Sequence, residues 1–247
     1  MPVFDYTNSP YVIRSDIGIK HRGYWEHLAA PGSWWTGEER INIAQESRNA
    51  RSCEFCRERK QELSPYTLKG THGEAGSLNE VTVDAVHRVV TDQERITQRF
   101  VDDIAQQGIS DAEYVELVGV VVAVLSIDEF HRALGLPLEK LPAPVKGEPD
   151  YYRPAQAVKD IGFVPTLRHD GATGNEADLW SNGRTANVLR ALTLVPDALR
   201  HWRALASAQY LSLEAMSNFG KSADRSIDRM QVELVAGRVS AINQCFY

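Results

Sequence analysis

The chain has 247 residues with 33 acidic and 27 basic side chains, a formal net charge of −6 and a pI near 5.7, which excludes a basic face built for nucleic acid. Hydrophobic residues make up 43% and charged residues 24%, enough apolar material for a packed interior, yet the most apolar stretch, 115–125, contains Glu116 and is too short to span a bilayer. The first twenty residues lack the basic segment and apolar run of a secretion leader, and three cysteines do not make a secreted disulfide framework, so a cytoplasmic protein without nucleic-acid or membrane partners is expected.

The pattern along the chain is helical. Aromatic residues Tyr24, Trp25, Trp34 and Trp35 read as packing anchors. Thr36, Gly37, Glu38 and Glu39 have the form of a capping box and open a helix running to about Asn49. Ser52 is positioned to cap a further helix starting at Cys53. Thr91 to Glu94 and Ser110 to Glu113 repeat the capping device. The second of these predicts a helix from Glu113 to Leu134, stopped by Gly135 and Pro137. Its valine-rich centre has the composition of a buried strand, but cap and stop bracket more residues than a strand holds. Six prolines between 136 and 182 mark a linker or a long wrapping connection. Helical pattern resumes over 185–193 and from Pro196 to Tyr210, with Pro196 in the first turn. A short piece over 211–219 ends at Gly220. The last helix, 227–243, places Met230, Leu234, Val235, Arg238, Val239 and Ile242 on one face expected to be buried.

Chemistry concentrates first at Cys53 and Cys56. Their spacing puts both thiols on one helix face, and Arg48, Arg51, Arg57, Arg59 and Lys60 surround them with charge that favours thiolate. Three readings stay open: an idle or disulfide-forming structural pair, a dithiol that passes electrons, and a zinc site. Zinc needs two more ligands, with His72 and His87 the nearest candidates. His131 reads either as a proton shuttle beside these cysteines or as a cation at a helix C-terminus. Glu116 reads as a buried proton relay, or as a carboxylate facing solvent or an arginine. No phosphate loop, H-E-x-x-H, G-x-S-x-G or EF-hand pattern is present; no cofactor is expected and no metal site is assigned.

Aligning Cys53 with Cys245 superimposes two helical segments that each lead into a cysteine, with Ile43 and Ala44 falling on Val235 and Ala236. The later copy carries Glu233, Leu234, Arg238, Val239, Ser240, Asn243 and Cys245, preceded by the run 187–192 and by Val195 and Pro196. These residues resemble the AhpD-like alkyl hydroperoxidase and carboxymuconolactone decarboxylase superfamily. The resemblance implies an all-α protein of tandem AhpD-like modules: a diverged module over 1–140, a Pro/Gly-rich linker over 141–182, and the N-terminal half of an incomplete second module over 183–247. It carries Glu233 over as the proton-relay carboxylate and Cys245 as the resolving cysteine of the pair. The peroxide-attacking residue of the family would fall just after Tyr247, with the relay histidine four residues beyond it. A selenocysteine read as a stop is one expectation for that position, beside a fragment or a decayed gene.

At the first pair, Ile41 stands in the carboxylate position and Lys60 in the histidine position, so the family's peroxidase chemistry is not expected there. The activity implied is thiol- or selenol-dependent peroxide reduction or dithiol–disulfide exchange, impaired in the chain as written. Its partners would be a peroxide or disulfide substrate and a dithiol electron donor, in a homo-oligomer. The rivals are a non-redox enzyme of the decarboxylase branch, which would not need the cysteines, and a non-catalytic helical scaffold.

Overall fold

A computed structural model describes residues 3–73, 76–180, 187–216 and 225–243, without the side chains of 213 and 214. The described residues form an all-α protein. In chain order the helices are α1 (Ser15–Ala29), α2 (Gly37–Ala50), α3 (Glu54–Gln61), α4 (Glu80–Thr91), α5 (Gln98–Gln106), α6 (Asp111–Ala133), α7 (Asn187–Arg190), α8 (Pro196–Gln209), α9 (Leu213–Met216) and α10 (Arg229–Ile242). Among the described residues the one extended pairing is an isolated bridge between Val158 and Thr166, and no helix is long and apolar enough to cross a membrane.

Helix α6 is the axis of the core. Ser110 accepts from the Glu113 amide at 3.2 Å while the Ser110 amide donates to the Glu113 carboxylate at 2.7 Å, so the expected capping box forms. That start, with no proline between it and Pro137, makes the valine-rich run helical rather than extended. Leu117, Val120, Val121, Val124 and Ile127 are buried, against α2 and α4 on one side and α8 on the other. Gly119 permits that last approach: a Cβ there would stand 2.9 Å from the Ala198 side chain. Ser110→Ala is expected to cost about 1 kcal/mol of stability by urea denaturation; an unchanged midpoint would show that the cap contributes nothing.

The proline-rich connection wraps the core. Its backbone reaches α1 and the turn after it through Val145 N–H to Ala29 O and Tyr151 N–H to Ser33 O, both 2.8 Å. The tryptophans hold it down: Trp25 donates to Lys140 O at 2.9 Å and Trp34 to Tyr152 O at 3.2 Å. Leu167 and Leu179 from the same segment are fully buried. Gly37, the first residue of α2, is where strap and helices meet; a Cβ would lie 2.3 Å from Ala29 O and 2.7 Å from Val145 O.

A directional chain of hydrogen bonds ties the N-terminal segment to α1, α6 and α8. The Gln209 amide donates to His21 Nε2 at 3.0 Å, leaving His21 Nδ1–H to donate to the Tyr6 oxygen at 2.6 Å. Tyr6 O–H then donates to His131 Nε2 at 2.8 Å, and His131 Nδ1–H to Pro137 O at 2.6 Å. His21 is neutral in this order, consistent with burial pushing it down to about 3.

Several expectations need correction. Thr91 does not cap a helix; it ends α4, its hydroxyl donating to His87 O at 2.7 Å. The Asp92 carboxylate is taken by Arg95 at 2.7 and 2.8 Å, and only a 3-10 turn, Gln93–Arg95, follows. Ser52 does not cap α3, since its hydroxyl donates to Asn49 O and Cys53 itself holds the capping position. Helical structure over 185–193 contracts to α7, and that over 211–219 to α9; residues 185–186 and 217–219 lie outside the described residues. Helix α10 forms with an Asp228–Gln231 capping box. Its expected buried face is nevertheless exposed: Met230 at 76%, Leu234 at 75% and Ile242 at 63%. Only Val232 of this helix is buried, because no described element covers the apolar row.

Candidate functional site

The cysteine pair is built by a tight chain turn. Helix α2 ends at Ala50, Cys53 N–H bonds back to Ala50 O at 3.2 Å, and Cys53 then takes an extended conformation and starts α3. Cys53 thus occupies the N-cap and Cys56 the first turn, where free amides favour negative charge on sulfur. Helix α4 packs on both α2 and α3. One of its faces carries Asp84 and His87, three residues apart, toward the cysteines. The loop between α3 and α4 lays His72 over the pair, with Phe55 against its ring edge at 5.0 Å between centroids.

Two imidazoles converge on two thiols. His72 Nδ1 stands 3.5 Å from both Cys53 Sγ and Cys56 Sγ, and His87 Nδ1 stands 3.0 Å from Cys56 Sγ. The far nitrogen of each ring is held by a carboxylate: His72 Nε2 by Asp84 at 2.9 Å and His87 Nε2 by Glu46 at 2.5 Å. Arg59 braces the group, donating to Asp84 and approaching Cys56 Sγ at 3.9 Å. Glu46 and His87 are completely buried and Cys56 is 2% exposed, while Cys53 is half-buried. Cys53 is therefore the thiol that a solute can reach.

The electrostatics follow from these contacts. Burial works against charge on His72, but the Asp84 carboxylate and the two sulfurs outweigh it and raise its pKa to about 10. Burial would raise Asp84, yet His72 and Arg59 hold it down to about 2. Burial likewise opposes the Cys53 thiolate, and hydrogen bonds from His72 and from the Cys56 backbone and side chain overcome it, lowering the thiol. His87 is lowered, chiefly by burial against the pull of Glu46. A neutral His87 whose Nε2–H donates to Glu46 must turn the Nδ1 lone pair toward Cys56.

The other sequence candidates among the described residues fall elsewhere. Glu233 accepts from Tyr210 Oη at 2.9 Å and pairs with Arg229 at 2.7 Å; Cys245 lies outside the described residues. His131 belongs to the Tyr6–His21 chain, with its two ring nitrogens committed to Tyr6 and Pro137. Glu116 is buried and meets an arginine, Arg40 Nε at 3.4 Å, while accepting the Trp34 amide at 2.6 Å. Gly32 faces this carboxylate so closely that a Cβ would stand 1.7 Å from Glu116 Oε1.

Glu46 and Asp84 are site residues that the sequence reading missed, while Arg59 was read only as part of the basic field around the pair. Glu46 had a signal: it lies in the stripe of Ile43, Ser47 and Ala50, the face that α2 buries. A carboxylate inside a buried stripe requires a partner. No match to this chain was found among family models, curated proteins or solved structures.

Proposed function

We propose that the chain is a thiol-dependent oxidoreductase working through Cys53 and Cys56, reducing peroxides or exchanging disulfides with a dithiol donor. The observation that carries this reading is the Cys56–His87–Glu46 relay beside a reachable Cys53 at a helix N-terminus. The carboxylate and histidine that this chain lacks at positions 41 and 60 of the resembled motif have counterparts in Glu46 of α2 and His87 of α4.

Cys53 thiolate attacks one peroxide oxygen, the O–O bond breaks, and the alkoxide leaves as an alcohol with the proton from His72 Nδ1. Cys53 is now a sulfenic acid. Cys56 gives its proton to His87 Nδ1 and attacks the Cys53 sulfur; the S–O bond breaks and hydroxide takes that proton as water. The pair has lost two electrons as a disulfide, which an external dithiol returns by thiol–disulfide exchange. The greater exposure of Cys53 supports its role as the attacking thiol, with the buried Cys56 resolving.

Treating metal-free, reduced protein with one equivalent of hydrogen peroxide, then alkylating and mapping peptides, is expected to yield a Cys53–Cys56 disulfide. Cys56→Ser should stop at a sulfenic acid on Cys53, and Cys53→Ser should consume no peroxide. His87→Gln should slow disulfide closure roughly 10²–10⁴-fold, the usual share of a positioned proton acceptor. Two thiols that survive the oxidant in the wild type would refute this function.

A further inference from the structure

We infer that Cys53, Cys56, His72 and His87 form a zinc site, so that the reduced dithiol has a metal-masked state. The inference deepens the oxidoreductase reading for its redox behaviour, while the ligand set stands on geometry alone. All four ligand atoms lie within 4.8 Å of one another. With zinc bonds of about 2.3 Å to sulfur and about 2.0–2.1 Å to nitrogen, tetrahedral neighbours S and N stand about 3.5 Å apart. The His72 Nδ1 distances to the two sulfurs are 3.5 Å each, and the His87 distance to Cys56 is 3.0 Å. Little movement is needed to place an ion among them.

The outer contacts argue the same way. Both rings turn Nδ1 to the common centre and give Nε2 to a carboxylate, Asp84 or Glu46. That carboxylate–imidazole pairing holds the outer N–H of each ring, so the inner nitrogen of His87 offers its lone pair directly and that of His72 offers it once zinc displaces its proton. Two thiolates neutralise a divalent ion, and a set of two sulfurs and two nitrogens selects zinc over harder cations. The four ligands close the tetrahedron, so the metal blocks the Cys53 thiolate from peroxide. Oxidation would reverse this: the two metal-bound thiolates, hydrogen peroxide and two protons give one disulfide, a released zinc ion and two waters. A disulfide is no longer a thiolate ligand.

The test uses the full chain, reduced and stripped of metal, titrated with zinc against a chromophoric chelator and separately with cobalt. One ion per chain and a tetrahedral thiolate–cobalt spectrum are expected. Cys53→Ser and His72→Ala should weaken zinc binding at least about 100-fold, and Asp84→Asn roughly 10–100-fold. Peroxide should then release zinc in step with disulfide formation, and zinc should slow alkylation of Cys53. Absence of stoichiometric binding, or an octahedral cobalt spectrum, overturns the site even if the metal-free protein still forms its disulfide. Stoichiometric zinc on a chain whose metal-free thiols resist peroxide overturns the redox release and the oxidoreductase reading together, and leaves the ligand set standing.

Discussion

Alanine in place of Glu46 is expected to lower stability by about 4 kcal/mol, because it strips the partner from a histidine that has no access to water. His87 Nε2 donates to Glu46 at 2.5 Å, and both side chains are completely buried. The substitution forfeits a charge-assisted hydrogen bond, leaves an N–H with no acceptor and opens a cavity in the α2–α4 interface. It also frees the His87 ring to change tautomer, so the Nδ1 lone pair no longer faces Cys56. Glu46→Gln keeps the volume and an acceptor oxygen and should lose only about 1–2 kcal/mol. Urea denaturation of the two variants checks the order. An alanine variant within 1 kcal/mol of wild type would mean that the pair is not a structural tie.

The second large effect is on pH. Burial, opposed by Arg40 and the Trp34 amide, raises Glu116 from an ordinary 4.5 to about 7. The folded chain therefore keeps a proton that the unfolded chain releases between these values. The sign follows from linkage: this contribution is fully present below pH 4.5, declines as pH rises to 7 and is flat above. A rise of that size corresponds to about 3 kcal/mol. Glu116→Gln, a neutral shape match that still accepts the Trp34 amide, removes the titration. The stability difference between wild type and the variant should shift by about 3 kcal/mol between pH 5 and 8, in favour of wild type at the acid end. Parallel stability curves would contradict a raised Glu116. Gly32→Ala tests the same contact from the other side, since its methyl would displace the carboxylate.

Much of the architecture was legible because capping is local. Thr36 with Glu39 and Ser110 with Glu113 are three residues apart, and both boxes form as their residue types dictate. Thr91 to Glu94 has a similar look and fails, because Thr91 is the last residue of α4 and its hydroxyl donates to His87 O. Local pattern cannot foresee that α4 runs so far. The apolar row of α10 failed for the opposite reason: periodicity reports which face is greasy, and only neighbouring elements decide whether it is covered.

At the site, the spacing of Cys53 and Cys56 was readable, and His72 and His87 could be named as nearest donors. Four-ligand convergence was not readable, because the histidines lie 16 and 31 residues beyond Cys56 and approach by way of a loop and a separate helix. At the offsets of the resembled motif stand Ile41 and Lys60. Packing of α4 on α2 brings His87 to Cys56 and Glu46 to His87.

By itself the sequence determined an all-helical chain, its strongest caps, the proline-rich connection and the spacing of Cys53 and Cys56, since each follows from residue types a few positions apart. Tertiary structure alone decided that the dithiol has two carboxylate-backed imidazoles, that Glu116 meets Arg40 and that His131 serves a hydrogen-bond chain. Those outcomes depend on which buried faces meet, and a buried polar group takes the partner that packing brings within about 3 Å.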